Sequence, residues 1–149
     1  MYGDTRVIRR LAAAVREQAR EIDREAADLL ALAEACPWSG WAAAAMRRRS
    51  RDRSAALRRT ADRHREAADA LDHHADEVDR LKDLIAAIER RVAGLVDAAR
   101  DRIADLGRDL LTGLRRALPE PADELLDGFV PPPPGHRGWL AVELPGLTP

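Results

Sequence analysis

Apolar side chains recur every seven residues along the first part of the chain, and small residues widen the same face. The repeat comprises Ile8, Val15, Ile22, Leu29 and Cys36, and the residues that fill in the same face are Leu11, Ala12, Ala19, Ala26, Leu32 and Ala33. This spacing predicts a first helix from about residue 5 to residue 35, with Asp4 as its N-cap and one narrow apolar stripe. Because alanine is small, a second helix is expected to approach this stripe closely.

A similar repeat resumes after a short break and predicts a much longer second helix, from about residue 41 to residue 117. Its members are Leu57, His64, Leu71, Val78, Ile85, Val92, Ala99 and Leu106. No proline interrupts the run before Pro119. The two repeats together predict an all-α antiparallel helical hairpin over residues 1–118.

The break between the helices, residues 36–40, predicts the turn of the hairpin. Pro37 disfavours a helical conformation in the residue before it, and Gly40 permits backbone angles closed to other residues. Trp38 and Trp41 flank this turn in a chain that has only three tryptophans. We therefore expect the turn motif Trp38, Gly40 and Trp41 to close the end of the hairpin core with its indole rings.

The unequal lengths of the two helices leave part of helix 2 without a partner in the hairpin. Helix 1 reaches only to the neighbourhood of His73, whereas the apolar stripe continues and becomes richer in large side chains. The predicted stripe comprises Val78, Leu81, Ile85, Ile88, Val92, Leu95, Ile103, Leu106 and Leu110. A bare stripe of this length is unfavourable in water. Another copy, a related hairpin protein or the C-terminal tail must cover it, and helical spacing favours a partner chain.

The tail, residues 119–149, is rich in proline and is expected to be partly disordered. A short helix is predicted where Pro121 stands near its start and Gly128 just past its end. Residues 131–134 are four prolines, which predict a stiff spacer or a ligand for an aromatic groove. Residues 139–144 alternate as in an extended strand, which is typical of a docking peptide, although a disordered tail is favoured.

Charge is nearly balanced over the whole chain, whose formal net charge is -1, so it favours neither nucleic acid nor an anionic membrane. One segment departs from this balance. Its arginines are candidate phosphate or anion contacts: Arg47, Arg48, Arg49, Arg51 and Arg53. The favoured interpretation is a solvated helix face that pairs with acidic residues of helix 1, namely Glu17, Glu21, Asp23, Glu25 and Asp28.

Residues that could carry catalysis or bind a metal are few. His73 and Glu77 lie one helical turn apart, but too few ligands accompany them to complete a coordination shell. His64 falls within the apolar repeat, where a histidine bonded to a neighbour is expected rather than a base. Cys36 has no second cysteine to pair with. We predict neither an enzyme nor a cofactor, and no secretory signal or membrane span.

A helix, a Trp38-Ser39-Gly40 turn and a second helix resemble the WXG family of type VII (ESX) secretion substrates, the ESAT-six-like proteins. The alanine-rich segments 41–45 and 67–71 are similar to those of actinobacterial members, and the resemblance covers about residues 5–87. It implies a four-helix bundle of two hairpins, homodimeric or heterodimeric, exported by the type VII machinery without a cleaved signal peptide. Because Tyr2 is the only tyrosine, a Tyr-x-x-x-Asp/Glu export signal is expected on a partner.

Two functions therefore follow from the sequence. The first is a secreted or secretion-associated protein that acts by dimerisation and protein-protein recognition. The alternative is a cytoplasmic coiled-coil scaffold, or a nucleic-acid-binding protein that uses the arginine-rich start of helix 2, although the absence of interleaved aromatic residues disfavours nucleic acid.

Overall fold

The computed structural model describes residues 4–111 and 118–147, and the side chains of residues 109–111 are outside this description. The described residues form helix α1 (Thr5–Ala35), helix α2 (Trp41–Leu111), helix α3 (Pro121–Asp127) and a 3-10 helix (Arg137–Ala141). They contain no strand, so the predicted all-α hairpin is confirmed. The predicted end of helix 2 at residue 117 and the side chain of Leu110 lie outside the described residues.

Helix α1 begins and ends where its sequence signals predict. The Asp4 carboxylate accepts a hydrogen bond from the backbone N–H of Arg6 at 3.0 Å, which satisfies one of the free donors at the helix start. Cys36 takes an extended conformation immediately before Pro37. Gly40 then adopts a φ of 91°, a value that side chains with a Cβ rarely accept, and α2 starts at the next residue.

Two compact units divide the chain within α2. The hairpin unit lies within Gly3–Val78 and contains α1 with the first half of α2. The tail unit lies within Asp79–Pro149 and contains the second half of α2 with the segments that follow it.

The interior of the hairpin unit is a row of very small side chains, which we call the alanine seam. Its members are buried at seven-residue spacing in both helices: Ala12, Ala19, Ala26, Ala33, Ser54, Ala61, Ala68 and Ala75. The hydroxyl of Ser54 donates across the seam to the backbone carbonyl of Ala26 at 2.8 Å. A side chain this short reaches the opposite backbone only where the two helices approach closely, as the sequence predicted.

Ion pairs run along one side of the seam and fix the antiparallel register. Arg16 donates to Asp72 and to Asp69, each at 2.6 Å, and Arg65 pairs with Asp23. A net contribution of up to about 1 kcal/mol is typical of partly exposed pairs, so these contacts select the register more than they stabilise the fold.

The tail unit has a small core of its own, centred on Ile85 and Val92 of α2 and on Trp139 of the 3-10 helix. Phe129 packs beside Trp139 with the ring centroids 6.4 Å apart. The indole N–H of Trp139 donates to the carbonyl of Pro133 at 3.1 Å, so the proline segment is held by an aromatic residue of the same chain.

Helix α3 is anchored to α2 by charge. The Arg102 guanidinium donates to Asp123 through Nε at 3.0 Å, and Arg100 pairs with Asp127 at the same distance. The Arg102 hydrogen bonds hold the pKa of the Asp123 carboxyl below its usual value. The predicted short helix is present. The two ion pairs show that it lies antiparallel to α2, because the later residue of α3 pairs with the earlier residue of α2.

The tail differs from the sequence-based expectation in two respects. Residues 137–141 form a 3-10 helix rather than part of a strand, because Trp139 turns toward α2 and no sheet edge is available in the described residues. The tail also occupies the surface of Ile85 and Val92, for which the sequence favoured a partner chain. Folding back in the same chain buries these side chains without the entropic cost of association.

Candidate functional site

The hairpin unit carries a continuous row of large side chains on the side of the seam opposite the ion pairs. We call this row the apolar flank. Its members are all only half-buried: Ile8, Val15, Ile22, Leu29, Leu57, His64, Leu71 and Val78. In α1 each residue of this row stands three positions after a seam alanine or four before one, which places the row to one side of the seam.

The register of the ion pairs arranges the apolar flank in layers. With Arg16 opposite Asp72, Val15 stands level with Leu71. The same register sets Ile8 near Val78 and Leu29 near Leu57. Because the alanine seam brings only two helices together, the hairpin alone does not fully bury the large side chains beside the seam. The flank is therefore a half-covered apolar face about 30 Å long, at 1.5 Å of rise per residue over the 21 residues from Ile8 to Leu29.

His64 is the single polar member of the apolar flank. Its Nδ1 lies 2.9 Å from the backbone carbonyl of Thr60 one turn earlier. Because a carbonyl can only accept, Nδ1 carries the hydrogen of this bond. The structure thus places His64 as predicted, within the apolar repeat and bonded to a neighbour.

The two tryptophans of the turn do not close the hairpin core. Trp38 is 66% exposed and Trp41 is 87% exposed, so the expectation of buried indoles was wrong. Arg47 closes this end instead. Its guanidinium donates to the carbonyls of Cys36 and Trp38, each at 2.9 Å, and satisfies acceptors left free by the end of α1.

The arginine run after the turn pairs less than the sequence suggested. Arg47 and Arg51 approach Glu34 at 4.0 and 3.9 Å. Within the described part of the chain, the side chains of Arg48, Arg49 and Arg53 make no ion pair. Glu17 pairs with arginines of its own helix, and Asp23 with Arg65, so these acidic residues do not neutralise the run.

The predicted stripe of α2 is distributed over both units. Val78 belongs to the apolar flank, while Ile85 and Val92 are buried, and Ile88 is half-buried, in the core of the tail unit. Leu95, Ile103 and Leu106 are half-buried, and Leu81 is on the border of exposure. Whether the stripe binds a partner chain stays a prediction.

Metal-binding side chains are dispersed in the structure. His73 and Glu77 are both exposed, and the described residues contain no group of three side chains suited to a metal. In the described part of the chain, no helix combines the length and apolar character that a membrane span requires.

Sequence reasoning missed three features of these surfaces. The flank and seam were taken as one stripe together with Leu11 and Leu32, which are 53% and 72% exposed and belong to neither. The alternation of large and small residues at three and four positions already contained the distinction between flank and seam. The role of Arg47 as a cap could not be recognised in the sequence, where its short distance from the turn is the one indication of it. Contacts of the tail with α2 depend on residues about 50 positions apart, such as Ile85 and Trp139.

Comparisons with protein-family models, with curated proteins and with solved structures find no match to this chain.

Proposed function

We propose that this protein acts by pairing two copies of its hairpin unit through the apolar flank. The observation that carries the proposal is the asymmetry of the hairpin. Ion pairs lie along one side of the seam. Large half-buried side chains, such as Val15 and Leu71, lie along the other side. Apolar faces of this length are normally covered in water, and two hairpins placed face to face form a four-helix bundle.

A second copy suits this face because its layers repeat at a constant spacing in both helices. The flank of one hairpin presents rows seven residues apart, which match the rows of an identical hairpin. The pairing is driven by apolar burial, so it should be insensitive to salt, unlike a contact between charged surfaces.

The test is the solution mass of the full chain, measured by light scattering at low and high salt. We expect a dimer at both salt concentrations. In the variant Val15→Asp/Leu71→Asp the dimer should dissociate while the helical circular dichroism remains. The matched control is Ala13→Asp/Ala70→Asp, which adds the same charges at exposed positions and should leave the mass unchanged. A monomeric parent chain at high micromolar concentration would refute the proposal.

The biological setting that we propose is the type VII secretion route, as a secreted or secretion-associated protein. The support for it is the Trp38-Ser39-Gly40 turn between two helices of a hairpin. Secretion is tested by expressing the chain in an actinobacterial host with and without its type VII ATPase. Appearance in the culture filtrate only when the ATPase is present supports this setting. Retention in the cells of both strains, with the mass still dimeric, would refute export and leave the pairing intact.

A further inference from the structure

Three large apolar side chains are exposed at or near the turn of the hairpin. Leu32 is 72% exposed near the end of α1, and Trp38 and Trp41 project from the turn and from the start of α2. The hydrogen bonds that form the turn come from the Arg47 side chain and the backbone of Gly40, and they involve none of these three side chains. Exposure of two indole rings at one end of a hairpin is unfavourable in water, and such exposure indicates an interaction site.

Arginines that have no ion-pair partner among the described residues adjoin Trp41. A surface groove of about 750 Å³ is lined by Trp41 and Met46 together with Arg48, Arg49 and Arg53. An indole and three guanidinium groups therefore share one surface. No carboxylate lines this groove.

Positive charge is concentrated in the first part of α2, although the chain as a whole is nearly neutral. Residues 41–60 contain seven arginines and one aspartate, a net charge of +6 in a chain whose total is -1. No acidic residue occupies the first turn of α2, where one would favour the helix dipole. The sequence of this segment thus departs from what helix stability alone would favour.

We propose that the tip of the hairpin binds the surface of an anionic lipid membrane. The tip consists of Leu32, Trp38 and Trp41, with Arg48, Arg49 and Arg53 beside them. Indole rings favour the headgroup level of a bilayer, where their apolar body and N–H are both accommodated. Guanidinium groups just behind them then reach the lipid phosphates, to which they bind in a bidentate manner.

The order of the residues favours a membrane over a nucleic acid. The aromatic residues stand together ahead of the arginines, whereas a single-strand binder alternates them so that successive bases can stack. Leu32 contributes an exposed aliphatic side chain, which inserts among acyl chains but offers no flat ring for a base. Leu29 at one end of the apolar flank also lines this groove, so the membrane contact and the pairing surface meet at this residue.

The experiment measures binding of the full chain to vesicles made of phosphatidylcholine and phosphatidylglycerol in equal amounts, with pure phosphatidylcholine for comparison. Co-sedimentation gives the affinity, and quenching of tryptophan emission by brominated lipid reports insertion. Trp139 is 6% exposed and serves as an internal reference that should not be quenched. We expect binding only to the anionic vesicles, with quenching that disappears in Trp38→Ala/Trp41→Ala.

Charge variants separate the tip from general attraction. Arg48→Gln/Arg49→Gln/Arg53→Gln should lower the affinity by roughly 100-fold, at about a fivefold step for each arginine near an anionic surface. The control Arg63→Gln/Arg90→Gln/Arg137→Gln removes equal charge from exposed positions elsewhere and should change the affinity little. Circular dichroism confirms that each variant retains its helices.

Several results would overturn the membrane proposal. They are equal binding to both vesicle types, an equal loss in the two charge variants, and unchanged quenching without Trp38 and Trp41. Binding to a single-stranded oligonucleotide in the absence of vesicle binding would assign the same arginines to nucleic acid instead. None of these outcomes affects the solution mass, so pairing is judged separately.

Discussion

Replacement of Trp139 by alanine should release the tail from α2 without unfolding the hairpin unit. Trp139 is the largest side chain in the core that joins the tail to Ile85 and Val92. It is buried to all but 6%, and its indole also bonds to Pro133. Phe129 and the other side chains packed against this core are only partly buried, so they do not replace the area that Trp139 buries.

The magnitude follows from the area that the indole buries. A buried tryptophan removes on the order of 200 Å² from water, worth about 5 kcal/mol at 25 cal/mol per Å². Measured substitutions of buried aromatic residues by alanine cost about 3–5 kcal/mol. The free energy of unfolding of whole domains is only about 5–15 kcal/mol. We therefore expect the loss of the indole to exceed the free energy of unfolding of a tail unit with one small core.

Hydrogen exchange of the full chain, read by mass spectrometry, tests this prediction. In Trp139→Ala the amides of residues 118–147 should exchange rapidly while those of α1 remain protected. The solution mass should also rise, because release of the tail exposes Ile85 and Val92 to a second chain. Leu140→Ala is the matched control, since Leu140 neighbours Trp139 but is 43% exposed and outside the buried core. Unchanged protection of the tail in Trp139→Ala would refute the reasoning.

Three further substitutions probe the helices and their contacts. Ala19→Leu should destabilise the hairpin unit by about 1–3 kcal/mol in thermal unfolding, because the seam has no room for a larger side chain; the exposed Ala13→Leu should not. Gly40→Ala should lower stability by at least about 1 kcal/mol because of the positive φ, and an unchanged melting temperature would contradict this. Since Arg102 lowers the pKa of Asp123, their ion pair stabilises the tail unit above the ordinary carboxyl pKa of about 3.9, and this contribution is lost as pH falls through the lowered pKa. Asp123→Asn should therefore weaken tail protection at neutral pH and reduce its acid sensitivity, whereas an unchanged pH profile would count against the ion pair.

The helices could be predicted from the sequence because their signals are local. Asp4 and Pro37 mark the two ends of α1, and Gly40 immediately precedes α2. The alanines of the seam specified both the seven-residue period and the close approach. Helix α3 was predicted on the same basis, from Pro121 at its start and Gly128 at its end.

The surfaces could not be predicted as well, because they depend on distant contacts. The alternation of residues 139–144 is compatible with a strand, and only the burial of Trp139 against α2 selects the 3-10 helix. Trp38 and Trp41 are exposed, and Arg47 instead caps the end of α1, a contact that composition does not reveal. Likewise, the sequence does not reveal that Asp23 pairs with Arg65 rather than with the arginine run.

The alanine seam assigns folding and recognition to different positions of the hairpin. The seam holds the two backbones together with side chains that have almost no rotamers and no distinctive chemistry. Residues with shape and polarity, such as Val15, His64 and Leu71, stand beside it, where they contribute less to the interior. Related hairpins could therefore diverge at the flank and change partners while they retain the same interior. Conversely, a larger residue at Ala26 or Ala61 would disturb every partnership at once.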